Sequence, residues 1–123
     1  MVKAQKRWRL IRDFNKGKFC YLIGVDNWSI ELQKSEFNTL YLLLLRINEQ
    51  LLGIENELMD EESINLELEQ LPWYIELEGK KNEWSLRFVF ESQDQTRSFE
   101  MYWPIPIAQI LFFEIKKMWE SMD

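Results

Sequence analysis

The sequence predicts an α+β domain made of two antiparallel strand meanders, each followed by one long apolar helix. Three observations lead there. Extended segments alternate apolar and polar residues; two later segments switch to a helical repeat; and this order occurs twice, across residues 6–59 and again across 64–121. Short turns between strands keep neighbours antiparallel, so the helices layer on the meanders and no parallel sheet is needed. With 123 residues, 46% hydrophobic and 15% aromatic, residues 1–123 suffice for one core and read as a single domain with an internal pseudo-repeat.

Lys6 to Phe14 is the first expected strand, with Trp8, Leu10, Arg12 and Phe14 on one face and Arg7, Arg9, Ile11 and Asp13 on the other. Asn15-Lys16-Gly17-Lys18 turns the chain into Phe19, Tyr21, Ile23 and Val25, and Asp26-Asn27 turns it again into Trp28, Ile30 and Leu32. A two-residue turn at Asp26-Asn27 pairs Val25 with Trp28, Ile23 with Ile30 and Tyr21 with Leu32. A second one at Lys16-Gly17 places Phe14 opposite Phe19, Leu10 opposite Ile23 and Trp8 opposite Val25. This register gathers the large apolar groups on one side, whereas a one-residue slip would put Arg7 and Arg9 among them.

Ser35 is the expected N-cap of the first helix, with Glu36 in its first turn. Phe37, Leu40, Tyr41, Leu44, Leu45, Asn48, Leu51 and Leu52 form its apolar stripe. Leu42, Leu43 and Ile47 widen it beyond what one sheet face covers. Gly53 is expected to bend or fray the helix before Met59, and Asp60-Glu61-Glu62 reads as a solvated loop.

In the second half Ile64, Leu66 and Leu68 alternate up to Pro72, and Trp73, Ile75 and Leu77 continue beyond it, as two strands or one broken strand. Gly79-Lys80-Lys81-Asn82 leads into Trp84, Leu86, Phe88 and Phe90; Ser92-Gln93-Asp94-Gln95 leads into Phe99, Met101 and Trp103. Pro104 and Pro106 then open a helix whose Ile107, Ile110, Leu111, Glu114, Ile115, Met118 and Trp119 keep helical spacing. That makes three strands before the first helix and three or four before the second.

Charge and composition narrow the chemistry. Residues 1–19 hold seven cations against Asp13 alone, so with a total of −6 the remaining residues carry −12. No histidine is present, which removes the commonest general base and metal ligand, and the single Cys20 cannot form an intrachain disulfide. Asp60, Glu61, Glu62, Glu67 and Glu69 could in principle serve acid–base work, but within so acidic a segment they read as a solvated face. Cys20 reads as a half-buried strand residue, and neither a cofactor nor a metal site is expected. The start lacks the apolar core of a signal peptide, and the longest uncharged run, Met101–Phe113, contains two prolines, so a cytoplasmic protein with no membrane span is expected.

The motifs Trp28-Ser29-Ile30-Glu31-Leu32, Met59-Asp60-Glu61-Glu62, Leu77-Glu78-Gly79, Trp84-Ser85-Leu86-Arg87-Phe88 and Trp103-Pro104 resemble a small uncharacterised cyanobacterial protein family over nearly the whole chain. The resemblance implies a fold similar to that of Whirly-type single-stranded-DNA-binding transcriptional regulators. In that fold a four-strands-plus-helix unit occurs twice and the two helices pack together. It implies no established activity.

Two binding expectations follow. Arg7, Arg9, Lys16 and Lys18, interleaved with Trp8, Phe14, Phe19 and Tyr21, could track a single-stranded nucleic acid by phosphate contact and base stacking. The preferred register turns those aromatics inward, which weakens this reading. Surplus apolar surface on the helices, at Leu42, Leu43, Ile47, Phe112 and Phe113, favours a protein partner, a second copy included. A non-enzymatic binding protein is therefore expected, with protein partners ahead of nucleic acid.

Overall fold

A computed structural model describes residues 1–121. The described residues form two four-stranded antiparallel meanders and two helices. Sheet A contains β1 (Val2–Ala4), β2 (Trp8–Arg12), β3 (Tyr21–Val25) and β4 (Trp28–Leu32). Helix α1 (Lys34–Ile54) and a short 3-10 turn (Glu55–Glu57) lead to sheet B, with β5 (Ile64–Gln70), β6 (Trp73–Lys80), β7 (Glu83–Glu91) and β8 (Ser98–Trp103). Helix α2 (Ile107–Glu120) closes the chain. Four strands and a helix thus occur twice in order.

The hairpin register follows from the turns. Trp8 pairs with Val25 and Leu10 with Ile23, while Val25 pairs with Trp28, Ile23 with Ile30 and Tyr21 with Leu32. Leu71-Pro72 is a two-residue connection between Gln70 and Trp73, so Pro72 separates two paired strands and does not interrupt one.

Three local expectations are corrected. A strand precedes Trp8: Val2–Ala4 is too short to show a periodicity, yet it pairs with β2, and Lys3 forms an ion pair with Glu114 of α2 at 2.9 Å. The first hairpin is joined by a 3-10 turn, Phe14–Lys16, in which the Asp13 carboxylate accepts from the Asn15 N–H at 3.0 Å. The strand therefore ends at Arg12, and Phe14 is 54% exposed instead of facing Phe19 in the core. Its ring meets Tyr21 edge-on at 6.1 Å, beneath the cations of Arg12 and Lys34. Finally, α1 starts at Lys34 with Gln33 in the capping position; the Glu36 carboxylate reaches back to the Gln33 N–H at 2.9 Å, so Ser35 lies inside the helix. The expected fraying near Gly53 is present: α1 ends at Ile54 and passes into the 3-10 turn Glu55–Glu57 before Met59.

The two halves are interlocked through their helices. α1 lies against β5 and β6 of the other half, and Phe37 stacks on Tyr21 of β3 at 3.8 Å. α2 lies against β7 and also against β2, where Arg12 donates to the Met118 carbonyl at 3.2 Å. Tyr41 and Trp119 stack at 4.7 Å where the helices meet. One contiguous core results, filled by Trp73, Trp103, Phe88, Phe90, Leu10, Ile23 and the buried stripe of α1.

Candidate binding surfaces

The basic residues of the first hairpin lie together, and most are already engaged. Arg7 forms a two-point ion pair with Asp26, 2.9 Å from Nε to Oδ1, which pulls the Asp26 carboxyl below its ordinary range. Arg9 lies flat over Gly24, whose missing Cβ would otherwise sit 2.3 Å from Nη2. From there it donates to the carbonyls of Asp26 at 3.0 Å and Trp28 at 2.8 Å. Lys16 is paired with Glu31. Lys18 stands 5.9 Å from the centroid of the half-buried Phe19 ring. Trp8 and Tyr21 are buried on the side opposite Arg7 and Arg9, so those two cations share no platform with these two rings.

The apolar candidates separate in the same way. Leu43 and Ile47 are buried in the core, where α1 packs against β5 and β6 of the other half and meets α2. They are unavailable to a partner, contrary to expectation. Phe112 is half-buried against the core. Leu42 is 47% exposed and Phe113 58%, the latter beneath the Lys117 ammonium at 5.0 Å. Leu45 and Asn48 are half-buried and Leu52 is exposed, so the buried stripe is rotated from the expected one toward Leu43 and Ile47.

The outer face of sheet B is acidic. Glu67 and Glu76 are directly opposed across β5 and β6, an arrangement that is unfavourable for like charges. Tyr74 relieves it by donating its hydroxyl to Glu67, and Arg87 relieves it by bonding Glu76 at 3.1 Å and Glu100 at 3.4 Å. The hydrogen bond to Glu67 pushes the Tyr74 hydroxyl up to about 12. Because the folded value exceeds the unfolded one, this contribution to stability is complete below the ordinary tyrosine range and is lost as pH rises through about 12. Glu67→Gln is expected to bring Tyr74 ionisation back toward that range, which an ultraviolet tyrosinate titration against Tyr74→Phe checks. Of the other carboxylates, Asp60 and Glu61 pair with Lys81 and Lys80 and remain largely in solvent. Cys20 is buried.

A groove that the sequence reading missed lies between the two sheets. It is open, encloses about 580 Å³, and is lined from sheet A by Ser29, Ile30 and Glu31, from sheet B by Ser98 and Phe99, and by Phe19, Thr96 and Arg97. β4 and β8 are edge strands, each with one neighbour. Arg97 ties the walls together. Its guanidinium makes two bonds to the buried Glu36 carboxylate, at 2.8 and 3.0 Å, and a third to the Glu31 carbonyl at 2.7 Å. It also lies over the rings of Phe19 at 4.6 Å and Phe90 at 5.2 Å.

The loop before β8 is built to deliver this arginine. Asp94 Oδ1 accepts from the Ser92 hydroxyl, the Thr96 hydroxyl and the Thr96 N–H, which holds its carboxyl down at about 2. Ser92 Oγ in turn accepts from the Arg97 N–H at 3.0 Å. One signal was legible: Arg97 shares the inward parity of Phe99, Met101 and Trp103, and an arginine on a buried face requires an acid. Glu36, first read only for its helix-end charge, is that acid. A second, more polar hollow of about 440 Å³ adjoins this region, bounded by Lys18, Ser35, Thr39, Pro72, Ser92 and Asp94 among others.

Comparison with known proteins places these features in a family context. The family model described as a domain of unknown function, DUF1818, matches residues 3–118. The chain is also similar to a solved protein of unknown function from Prochlorococcus sp. NATL2A, described as a member of the DUF155 family. The two are 34% identical, with 97% of this chain and 98% of that chain covered and a TM-score of 0.88. No curated protein matches.

Proposed function

The chain belongs to the DUF1818 family, whose function is unknown, and from that premise we propose that it is a non-enzymatic binding protein whose partner is another protein. The observation that carries this reading is the internal neutralisation of the basic hairpin. Arg7, Arg9 and Lys16 spend their donors on Asp26, on two main-chain carbonyls and on Glu31. A polyanion would have to compete with those contacts at three of the four candidate cations, Lys18 being held, among the described residues, only by the Phe19 ring. The acidic face of sheet B would further repel phosphate. By contrast the groove between β4 and β8, with exposed Leu42 and Phe113 elsewhere, offers hydrogen-bonding edges and apolar contacts of the kind proteins use.

The finer fold reading, a duplicated unit of the Whirly type, belongs to the same proposal. It is supported by the four-strands-plus-helix order occurring twice and by the Tyr41–Trp119 stack between the helices. Single-stranded nucleic acid through Arg7, Arg9, Lys16 and Lys18 is the second reading, favoured by that fold likeness alone. A cytoplasmic location is part of the proposal; no helix among the described residues is long and apolar enough to cross a membrane.

The two readings separate in one titration series. Labelled single-stranded DNA is expected not to bind even at low salt. Binding that weakens steeply with salt and is lost in Arg7→Ala with Arg9→Ala would overturn the protein-partner reading.

A further inference from the structure

We propose that the groove between β4 and β8 is a binding site for an uncharged, extended polypeptide segment, held by main-chain pairing to the strand edges that border it. The inference rests on the protein-binding reading above and names its site and the chemistry of its partner.

The direction of the main chain on each wall follows from one hydrogen bond on either side. Arg97 donates to the Glu31 carbonyl, so that carbonyl points off the open edge of β4. Main-chain groups along a strand alternate in direction, and Ser29 therefore faces the groove in the same sense. On the other wall the Ser92 N–H donates to the Arg97 carbonyl at 2.9 Å, which turns Arg97, and with it Phe99, toward β7. Ser98 and Glu100 are left facing outward. Two strand edges, centred on Ser29 and Ser98, thus turn main-chain donors and acceptors away from their sheets toward one space. β-Strand addition satisfies such groups, and an extended segment is the ligand that does it.

Electrostatics selects the kind of segment. Arg97 is neutralised by Glu36, and Glu31 is held by Lys16. The walls therefore offer no unpaired charge to a phosphate chain or to a run of lysines. Ser29, Thr96 and Ser98 add hydroxyls, and Ile30, Phe19 and Phe99 add an apolar floor. An uncharged segment with alternate apolar residues directed at that floor complements the site. β4 has five residues and β8 six, which sets the length of segment that can pair.

The test is selection of phage-displayed random peptides on the full chain, followed by affinity measurement with synthetic copies of the enriched sequences. Enrichment of uncharged, alternating sequences is expected, and Ser98→Pro, which removes one edge N–H from a strand position where proline is tolerated, is expected to weaken them about tenfold. Because that variant could also disturb β8, amide hydrogen exchange on the unmodified chain gives a second readout: Ser29 and Ser98 are expected to be protected when peptide is bound.

Peptides that bind without protecting either amide would overturn the groove while leaving the protein-partner reading intact. Enrichment of Lys- and Arg-rich peptides would do the same, pointing to the acidic face of sheet B. A concentration-dependent dimer abolished by Ser98→Pro would replace the foreign segment with a second copy of this chain. No enrichment together with salt-sensitive binding of single-stranded DNA would overturn both readings.

Discussion

Replacing Trp73 by alanine is expected to lower the unfolding free energy by about 4 kcal/mol, a large share of the roughly 5–15 kcal/mol typical of a domain. Trp73 is fully buried and stands at the centre of an aromatic group. Phe88, Phe90 and Phe99 surround its ring edge-on at 6.0, 4.8 and 5.9 Å. Alanine removes those contacts and opens a cavity that three rings held by neighbouring strands cannot fill. The indole N–H also donates to the Glu36 carbonyl at 2.9 Å, which links sheet B to the first turn of α1. Trp73→Phe retains a ring but removes the indole bond to a carbonyl that also belongs to the helix ladder, and a smaller loss of about 1 kcal/mol is expected. Denaturant unfolding of the three proteins measures both steps. Equal losses for Ala and Phe would mean that the hydrogen bond, and not the ring packing, dominates.

Arg97→Ala is expected to destabilise the chain by about 3 kcal/mol, because it strands the Glu36 carboxylate in the core. Glu36 is 8% exposed, and its side chain has Arg97 as its cationic partner. The same change removes the bond to the Glu31 carbonyl and the cation over Phe19 and Phe90. The loss is therefore expected to exceed that of any exposed pair, such as Arg7 with Asp26, where about 0–1 kcal/mol is usual. A double-mutant cycle decides the cause. If the buried charge is responsible, Glu36→Gln in the Arg97→Ala background recovers part of the loss. If stacking on the rings is responsible, Glu36→Gln recovers nothing and Arg97→Lys is nearly as damaging as alanine.

These two residues also show how much could be read in advance. Trp73 was legible, since it alternates with Ile75 and Leu77 and lies on the apolar face of its strand. Arg97, between the turn at Ser92-Gln93-Asp94-Gln95 and the strand of Phe99, has no assigned role in the sequence reading, although its parity with Phe99 places it inward. The register of β3 and β4 followed from Asp26-Asn27, because a two-residue turn leaves each residue only one opposite number, and that of β2 on β3 from gathering the large apolar groups on one face. The strand before Trp8 could not be found the same way, because Val2–Ala4 is stabilised by β2 and by Glu114 more than one hundred positions away. Phe14 was assigned to the core on alternation alone, and the local bond from Asp13 to the Asn15 N–H took it out of the strand.

Of the candidate residues, Arg7 and Arg9 fell on the predicted face, but their availability was decided by Asp26 and by the bare backbone at Gly24. Leu43 and Ile47 were expected to exceed what one sheet covers and to meet a partner, and they are buried within the chain instead. Their burial depended on α1 lying against the strands of the opposite half.

By itself the sequence determined the α+β class, the twofold strand-and-helix order, the turns and most of the inward faces. Each of these is set by short-range periodicity and turn geometry that a few consecutive residues encode. Only the tertiary structure decided which cations are neutralised, which helix faces are covered, and that the edges of β4 and β8 border one groove. Those outcomes depend on partners far apart along the chain, such as Glu36 and Arg97 or Lys3 and Glu114, which folding alone brings within bonding distance.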